Sequence, residues 1–364
     1  MTLFVSPAAT SVSGGHVYNE AVLAAWPGEP PEHARLEGDW PDGPGTAETL
    51  AAALRGHDAA IVDGLVGAAH PDVLAAAERD GCAVALLVHL PLPDETGLTD
   101  ERRRKLTERE RAAIHACTTV VATSRTAAAD LAARYERDDI GVAPPGVVQG
   151  SLAHGSTPPL ILCLAALTPR KNHAGLAQAL GHISHLDWQA VFAGGGDLGA
   201  RAAVEGALAA AGIAERVALV GEVTGCDLEE LWARADVLAL PSFAETYGLV
   251  VTEAIAHGVP VVVAEGTGAV EALEDGEGPA PGITVDPHDP SEIADGLATV
   301  LANPGYGAFA RARRVDLRSW SETAAVLLAC LPGSTQKQNM TDTGRERAGR
   351  SGIGPGTTST EGTS

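Results

Sequence analysis

Short apolar segments alternate with helix-like segments along most of the chain, and this alternation constrains the fold more than any other feature. Strands that alternate with helices favour a parallel sheet covered by helices on both faces. The first half has predicted strands over residues 3–5, 59–62, 83–88, 118–122 and 140–143. The second half has predicted strands over residues 160–165, 188–193, 217–220, 237–240 and 259–263. The pattern therefore predicts an α/β protein with two doubly wound, Rossmann-like domains.

The two series of strands are separated by Pro144, Pro145 and Gly146, followed by a small, polar linker over residues 149–159. We expect an N-terminal domain over residues 1–150 and a second domain over residues 151–316, which suits a chain of 364 residues. Two such domains predict a cleft between them, where ligands commonly bind. A helix-like segment follows within residues 317–332, and residues 333–364 are predicted to be a disordered tail because they carry almost no apolar side chains.

Charge and cysteine usage exclude several classes of function. A net charge of −22 argues against nucleic acid as a partner and against a broad electrostatic membrane surface, although peripheral membrane contact stays open. Five scattered cysteines predict neither a disulfide framework nor a zinc site. The sequence has no recognisable signal peptide and no apolar run long enough to span a bilayer, so we expect a cytoplasmic protein.

The segment over residues 240–258 reads as a strand end, a loop and a helix, with Glu245 in the loop and Glu253 in the helix. In open α/β sheets, ligands bind at the carboxyl ends of strands. Gly248 allows close approach of another molecule, and the helix N-terminus suits a phosphate. A carboxylate at Glu253 could accept hydrogen bonds from ribose hydroxyls. From spacing alone, two solvated glutamates on an ordinary helix end explain the pattern equally well.

The residues around this pair read P-S-x-x-E-x-x-G-L-x-x-x-E-A-x-A-x-G-x-P-V from Pro241 to Val261. This pattern resembles the donor-binding signature of family 4 glycosyltransferases, which are retaining enzymes of the GT-B fold. The resemblance implies that Glu253 binds the nucleotide ribose and that Glu245 contacts the donor sugar near the reacting carbon. Tyr247, Gly248 and Leu249 belong to the same signature and are predicted to bind the donor. The resemblance also implies that the last helix returns to the first domain.

Arg170 and Lys171 follow the first strand of the second domain and precede a helix, which suits a diphosphate clamp. An exposed basic pair is the alternative. The segment resembles the family's second signature, in which an Arg precedes the Lys by five positions. Lys171 matches the Lys, but Ala166 occupies the Arg position, and Arg170 is the candidate substitute. This departure leaves the phosphate contacts open.

In the first half, Gly14 and Gly15 follow the first strand, where family members also carry a Gly-Gly pair beside the donor. An ordinary N-cap turn is the alternative. His89 ends a strand and could donate a hydrogen bond to a sugar hydroxyl, as the family's histidine at this strand end implies, or it could be purely structural. Ser124 resembles a recurrent serine of this half, and a helix N-cap explains it as well.

Gly194, Gly196 and Gly199 form G-x-G-x-x-G after a strand, with Glu222 where a ribose-binding acid would stand. This fingerprint supports a rival hypothesis, an NAD-dependent oxidoreductase. The family carries a glycine-rich loop at the same place, where Gly194 and Gly195 approach the donor. A non-catalytic protein of the same fold is the third hypothesis.

The sequence has no D-x-D and no P-loop, and its histidines do not cluster at metal-ligand spacing, so we expect neither a metal nor a cofactor. The resulting prediction is a metal-independent, retaining transfer of a hexose-type sugar from a UDP- or GDP-sugar to an unidentified acceptor. Glu245, His89 and Lys171 are the predicted catalytic residues.

Overall fold

The computed structural model describes residues 2–8, 13–42 and 46–331, and it contains two parallel six-stranded sheets, each flanked by helices. The tail predicted over residues 333–364 lies outside these ranges. Among the described helices, none combines the length and the apolar character needed to cross a membrane.

The first sheet has the strand order β2-β1-β3-β4-β5-β6. Its strands are β1 (Thr2–Pro7), β2 (Glu32–Leu36), β3 (Ala59–Asp63), β4 (Ala83–Val88), β5 (Thr119–Ala122) and β6 (Ile140–Val142). Its helices are α1 (Gly14–Ala24), α2 (Thr46–Leu54), α3 (Gly64–Gly67), α4 (Pro71–Arg79), α5 (Asp100–Ala116) and α6 (Arg125–Tyr135). Helix α1 begins at Gly14 because the Ser13 hydroxyl accepts a hydrogen bond from the His16 backbone N–H and caps it.

The second sheet has the strand order β12-β11-β10-β7-β8-β9. Its strands are β7 (Leu160–Leu164), β8 (Gln189–Ala193), β9 (Val217–Gly221), β10 (Ala235–Leu240), β11 (Val261–Ala264) and β12 (Gly282–Val285). Its helices are α7 (His173–His182), α8 (Leu198–Ala210), α9 (Gly225–Arg234), α10 (Leu249–Ala256), α11 (Gly268–Glu274), α12 (Pro290–Ala302) and α13 (Gly305–Arg313). The central strands are continuous apolar runs because helices bury both faces of the sheet.

The last helix, α14 (Trp320–Cys330), packs against the first sheet rather than the second. Leu327 lies in one buried cluster with Phe4 and Ile61 of that sheet, and the Trp320 ring meets the Tyr18 ring edge-on with centroids 5.5 Å apart. The chain therefore crosses between the two domains twice.

The segment predicted to be a free linker, residues 149–159, lies along the second domain. The Ala153 N–H donates to the His257 carbonyl and the His154 N–H donates to the Ala233 carbonyl, at 2.8 and 2.9 Å. The segment that leads back to the first domain lies beside this linker, because Arg314 donates to the carbonyls of Gly150 and Ala256.

Each sheet reverses its strand order at one point, between β1 and β3 in the first and between β7 and β10 in the second. At such a point neighbouring strands send their loops in opposite directions and open a crevice at their carboxyl ends. The loops that carry the predicted site residues leave strands at or beside these two reversal points.

Candidate functional site

The loops after β7 and β10 bring Lys171 and Glu245 together. The Lys171 Nζ lies 2.5 Å from Glu245 Oε1, and the two side chains are only 16% and 7% exposed. The sequence predicted separate ligands for these two residues, diphosphate for Lys171 and sugar for Glu245, but in the structure their charges neutralise each other. An ammonium group has three N–H donors, so this pairing leaves Lys171 able to bind an anion as well.

Arg170 does not stand beside Lys171 as a second free cation. Its Nη1 donates to the Ala244 carbonyl at 3.0 Å and lies 4.0 Å from Glu245 Oε2. The guanidinium therefore folds back onto the loop that carries Glu245 and supports it. Ala166, at the position of the family's arginine, is exposed.

Asn172, which sequence reasoning missed, connects the loops of this site. It is buried, and its Nδ2 donates to the carbonyls of Pro241 and Pro287 at 3.0 and 2.8 Å. Its Oδ1 accepts from the Gly175 N–H and caps α7. The loops after β7, β10 and β12 are thus fixed to one side chain, and the N-cap preference of asparagine was the available signal.

Helix α10 begins directly after Gly248, its N-cap residue, whose backbone is left-handed with φ of 82°. Among the described residues no side chain caps this helix, so its first N–H groups and its positive dipole end are available to an anion. A Cβ at Gly248 would also lie 3.4 Å from the Ala269 Cβ, so both conformation and packing favour glycine here.

Glu253 lies one turn further along α10, and its carboxylate has no hydrogen bond or ion pair within the described residues. Burial raises the pKa of this carboxyl from 4.5 to about 7, with a further contribution from the charge of Glu229. A partly buried acceptor without partners is suited to ligand hydroxyls, which would supply the missing hydrogen bonds.

Two predicted donor-binding residues contact the protein itself. The Tyr247 ring is 3% exposed and packs in the core of the second domain, where burial raises the pKa of its hydroxyl. A Cβ at Gly194 would collide with the Ala165 carbonyl, so the close approach that this glycine permits is between the loops after β8 and β7. Gly195 is less crowded, since its nearest neighbour would be Glu222 Oε2 at 3.5 Å. Contacts of these residues with a donor stay predictions.

Gly14 and Gly15 bring the first domain close to the start of α10 and to His89. A Cβ at Gly14 would lie 3.4 Å from the Leu249 side chain, at the first residue of α10. A Cβ at Gly15 would lie 3.1 Å from the His89 ring, which also meets the Tyr18 ring edge-on. The first turn of α1 therefore lies between His89 and the start of α10.

Two further residues that the sequence did not indicate hold His89. Its Nε2 lies 2.9 Å from Asn19 Oδ1 and 3.5 Å from Asp63 Oδ2, and Asn19 Nδ2 lies 2.8 Å from the same Asp63 oxygen. Asp63 ends β3 and Asn19 faces inward from α1, so both positions are typical of a buried polar network rather than of any motif.

The domains also meet at the N-terminus of α6. Ser124 caps this helix by accepting from the Ala127 N–H, and its hydroxyl donates to the Thr246 carbonyl of the second domain. The Glu271 carboxylate of α11 accepts from the backbone N–H groups of Arg125 and Thr126 at 3.1 and 3.2 Å. Ser124 therefore combines the N-cap role with a contact across the cleft.

Comparison with known proteins supports the assignment of this region. Residues 149–316 match the family model of glycosyl transferases group 1. The chain is 32% identical over 258 residues to the D-inositol 3-phosphate glycosyltransferase of Xylanimonas cellulosilytica, covering 63% of this chain and 60% of that protein. The enzyme of the same name from Mycolicibacterium vanbaalenii is 40% identical over 119 residues, covering 32% of this chain and 26% of that protein. The chain thus spans between about a quarter and three fifths of these two relatives.

Solved structures share the two-domain architecture. Sucrose-phosphate synthase from Thermosynechococcus elongatus superposes with a TM-score of 0.74 at 21% identity, covering 94% of this chain and 99% of that chain. HepE from Anabaena, in complex with UDP-glucose, superposes with a TM-score of 0.67 at 18% identity, covering 95% and 99%. These similarities identify the fold as GT-B. Because Gly194, Gly196 and Gly199 lie inside the matched glycosyl transferase region, the oxidoreductase hypothesis is set aside.

Proposed function

Residues 149–316 belong to the glycosyl transferases of group 1, in a chain of the GT-B fold, and on this basis we propose that the protein is a retaining glycosyltransferase. It moves a hexose-type sugar from a nucleoside diphosphate sugar to an acceptor. The observation that carries the proposal is the meeting of Lys171 and Glu245 at the start of α10, opposite Gly14 of the first domain.

The donor fits this arrangement group by group. Its diphosphate meets the uncapped N-terminus of α10 and the Lys171 ammonium, which stabilise negative charge. Its ribose hydroxyls donate to the Glu253 carboxylate, and its sugar projects toward Glu245 and His89. UDP is the first nucleotide to test, because HepE, which shares the fold, is known in complex with UDP and UDP-glucose. GDP is the alternative.

Charge on the leaving diphosphate is stabilised by Lys171 and by the α10 dipole, a form of catalysis in which fixed donors face the developing charge. The family resemblance adds that the acceptor attacks on the face from which the leaving group departs, and that the leaving phosphate takes the acceptor's proton. On this mechanism the protein needs no metal ion.

A thermal-shift panel of UDP, GDP, ADP, UDP-glucose, GDP-mannose and NAD tests the donor class. A ligand at about 100 times its Kd stabilises the folded protein by about 2.7 kcal/mol, enough to raise Tm visibly. We expect one nucleoside diphosphate and its sugar to raise Tm, and NAD to have no effect. Glu253→Gln should reduce this shift, whereas Glu229→Gln, a matched change at a 59% exposed side chain, should keep it.

Stabilisation by NAD without any effect of nucleotide sugars would contradict the proposal. Donor hydrolysis or transfer to an acceptor mixture, followed by NMR of the anomeric proton, then tests retention. Activity that survives EDTA supports the metal-free mechanism, and a loss restored by added Mg²⁺ or Mn²⁺ refutes it.

A further inference from the structure

The hydrogen-bond network beneath His89 determines which of its ring nitrogens carries the proton. Asp63, at the base of this network, is 5% exposed and accepts from the Leu65 N–H through Oδ1 at 2.9 Å. Burial alone would raise its pKa, but the hydrogen bond and the charge interaction with His89, together with the bonds from Asn19 and Leu65, outweigh burial and lower the pKa of this carboxyl. Asp63 is therefore ionised at neutral pH, and an ionised carboxylate only accepts hydrogen bonds.

The next member of the network is Asn19, which is 2% exposed. Because the Asp63 carboxylate can only accept, the Asn19 atom 2.8 Å from it must be the NH₂ group, so the orientation of this amide is fixed by chemistry. The amide oxygen then faces His89 Nε2 at 2.9 Å. An oxygen there requires a donor, so Nε2 carries the proton.

The other ring nitrogen, Nδ1, is not used by this network. It forms no hydrogen bond within the described residues, and it is not one of the buried polar atoms that lack a partner there. The side chain retains 15% exposure, and it lies against the first turn of α1, which approaches α10 through Gly14. A neutral imidazole with its proton on Nε2 presents a lone pair at Nδ1.

We propose that Asn19 and Asp63 are positioning residues that fix His89 as the Nε2–H tautomer, so that Nδ1 accepts a hydrogen bond from a substrate hydroxyl. This inverts the sequence-based expectation that His89 donates to the sugar. The substrate part of the inference rests on the proposed glycosyl transfer, whereas the tautomer does not depend on it. The site selects for a free hydroxyl, because an ether or a deoxy carbon at that position has no proton to donate.

The substitution Asp63→Asn should move the His89 proton from Nε2 to Nδ1. The new side chain has one accepting and one donating end, and asparagine caps a helix as well as aspartate does, so its oxygen stays on the Leu65 N–H. Its NH₂ then faces Asn19, which must turn its own oxygen toward this donor. The Asn19 NH₂ then faces His89, whose proton moves to Nδ1.

The experiment is ¹⁵N NMR of histidine-labelled protein, with the His89 signals assigned by their disappearance in His89→Asn. With the imidazole neutral, we expect the Nε2–H tautomer in the unmodified protein and the Nδ1–H tautomer in Asp63→Asn. The matched control is Asp139→Asn, at a 73% exposed carboxylate paired with Arg137, which should leave the tautomer unchanged. An Nδ1–H tautomer in the unmodified protein overturns the proposal without any variant, and an unchanged Nε2–H tautomer in Asp63→Asn also overturns it.

Activity gives the second readout. Asp63→Asn should lower kcat on the order of tenfold, the loss of about one hydrogen bond in the transition state, while the Kd for UDP stays unchanged. An unchanged kcat beside an inverted tautomer refutes the role of Nδ1 in recognition. If the unmodified protein transfers no sugar at all, the proposed function fails, and the NMR result still decides the tautomer.

Discussion

Replacing Glu253 by Gln should stabilise the protein and weaken its binding of the donor nucleotide. The folded-state pKa of about 7 exceeds the ordinary value of 4.5, so the folded protein binds this proton more tightly than the unfolded chain does. The contribution of protonated Glu253 to the free energy of unfolding is therefore complete below about pH 4.5. It declines as the pH rises and is lost above about pH 7, where the carboxyl ionises in the folded protein. Glutamine mimics the protonated form and removes the penalty.

The difference between the two pKa values corresponds to about 3 kcal/mol above pH 7. The side chain is not fully buried, so solvent reduces this figure, and we expect Glu253→Gln to raise the free energy of unfolding by about 2 kcal/mol at pH 8. At pH 5, where Glu253 is protonated in the folded protein, the gain should be under about 1 kcal/mol. Loss of the ribose hydrogen bonds should weaken UDP binding at pH 8 by about 1–3 kcal/mol.

Urea unfolding at pH 5 and pH 8 measures the first effect, and calorimetric titration with UDP measures the second. Glu229→Gln is the control, because it removes a neighbouring charge from an exposed position and should change UDP affinity little. If the gain of the variant over the unmodified protein is no larger at pH 8 than at pH 5, the assignment of the penalty to Glu253 is refuted. Unchanged UDP affinity would remove Glu253 from the ribose site.

Three other substitutions test the site. Lys171→Ala should lower turnover on the order of a hundredfold in a coupled assay, and turnover near that of the unmodified enzyme contradicts this role. The same change should lower the free energy of unfolding by about 3 kcal/mol, because it leaves Glu245 buried without its partner. Gly15→Ala should displace the His89 ring, lowering kcat more than UDP affinity, while Gly206→Ala, whose Cβ meets no atom within 4 Å, should leave both unchanged. Asn172→Ala should lower the free energy of unfolding in urea by about 2–3 kcal/mol, since three loops lose their shared side chain, and a loss under about 0.5 kcal/mol would show that other contacts hold them.

Elements with strong apolar patterns were predictable from the sequence. The strand over residues 83–88 has the predicted bounds, because a buried parallel strand leaves a continuous apolar run in the sequence. Helix α10 and its preceding loop were also placed correctly by the spacing of Pro241, Gly248 and Gly258. The amino-acid pattern alone therefore suffices to identify the loops that bear the candidate site residues.

What the sequence could not give is the partner of each polar side chain. Arg170 and Lys171 are adjacent, yet one folds back onto the Ala244 carbonyl and the other pairs with Glu245, some seventy residues away. Asn19 and Asp63 join His89 only because α1, β3 and β4 meet in space. Such long-range polar contacts leave no periodicity and no local motif.

The return of α14 to the first sheet also determines when each domain can be completed during synthesis. The ribosome makes the N-terminal domain first. Nevertheless, the face of its sheet formed by Phe4, Ile61 and Val121 is not fully covered until Ala324 and Leu327 emerge, after the whole second domain. Within the described residues, the core of the second domain includes no residue before Val147, so this domain can close first. The first domain of this protein to begin is thus the last to finish, and its exposed apolar face must be protected for the time that the second domain takes to be made.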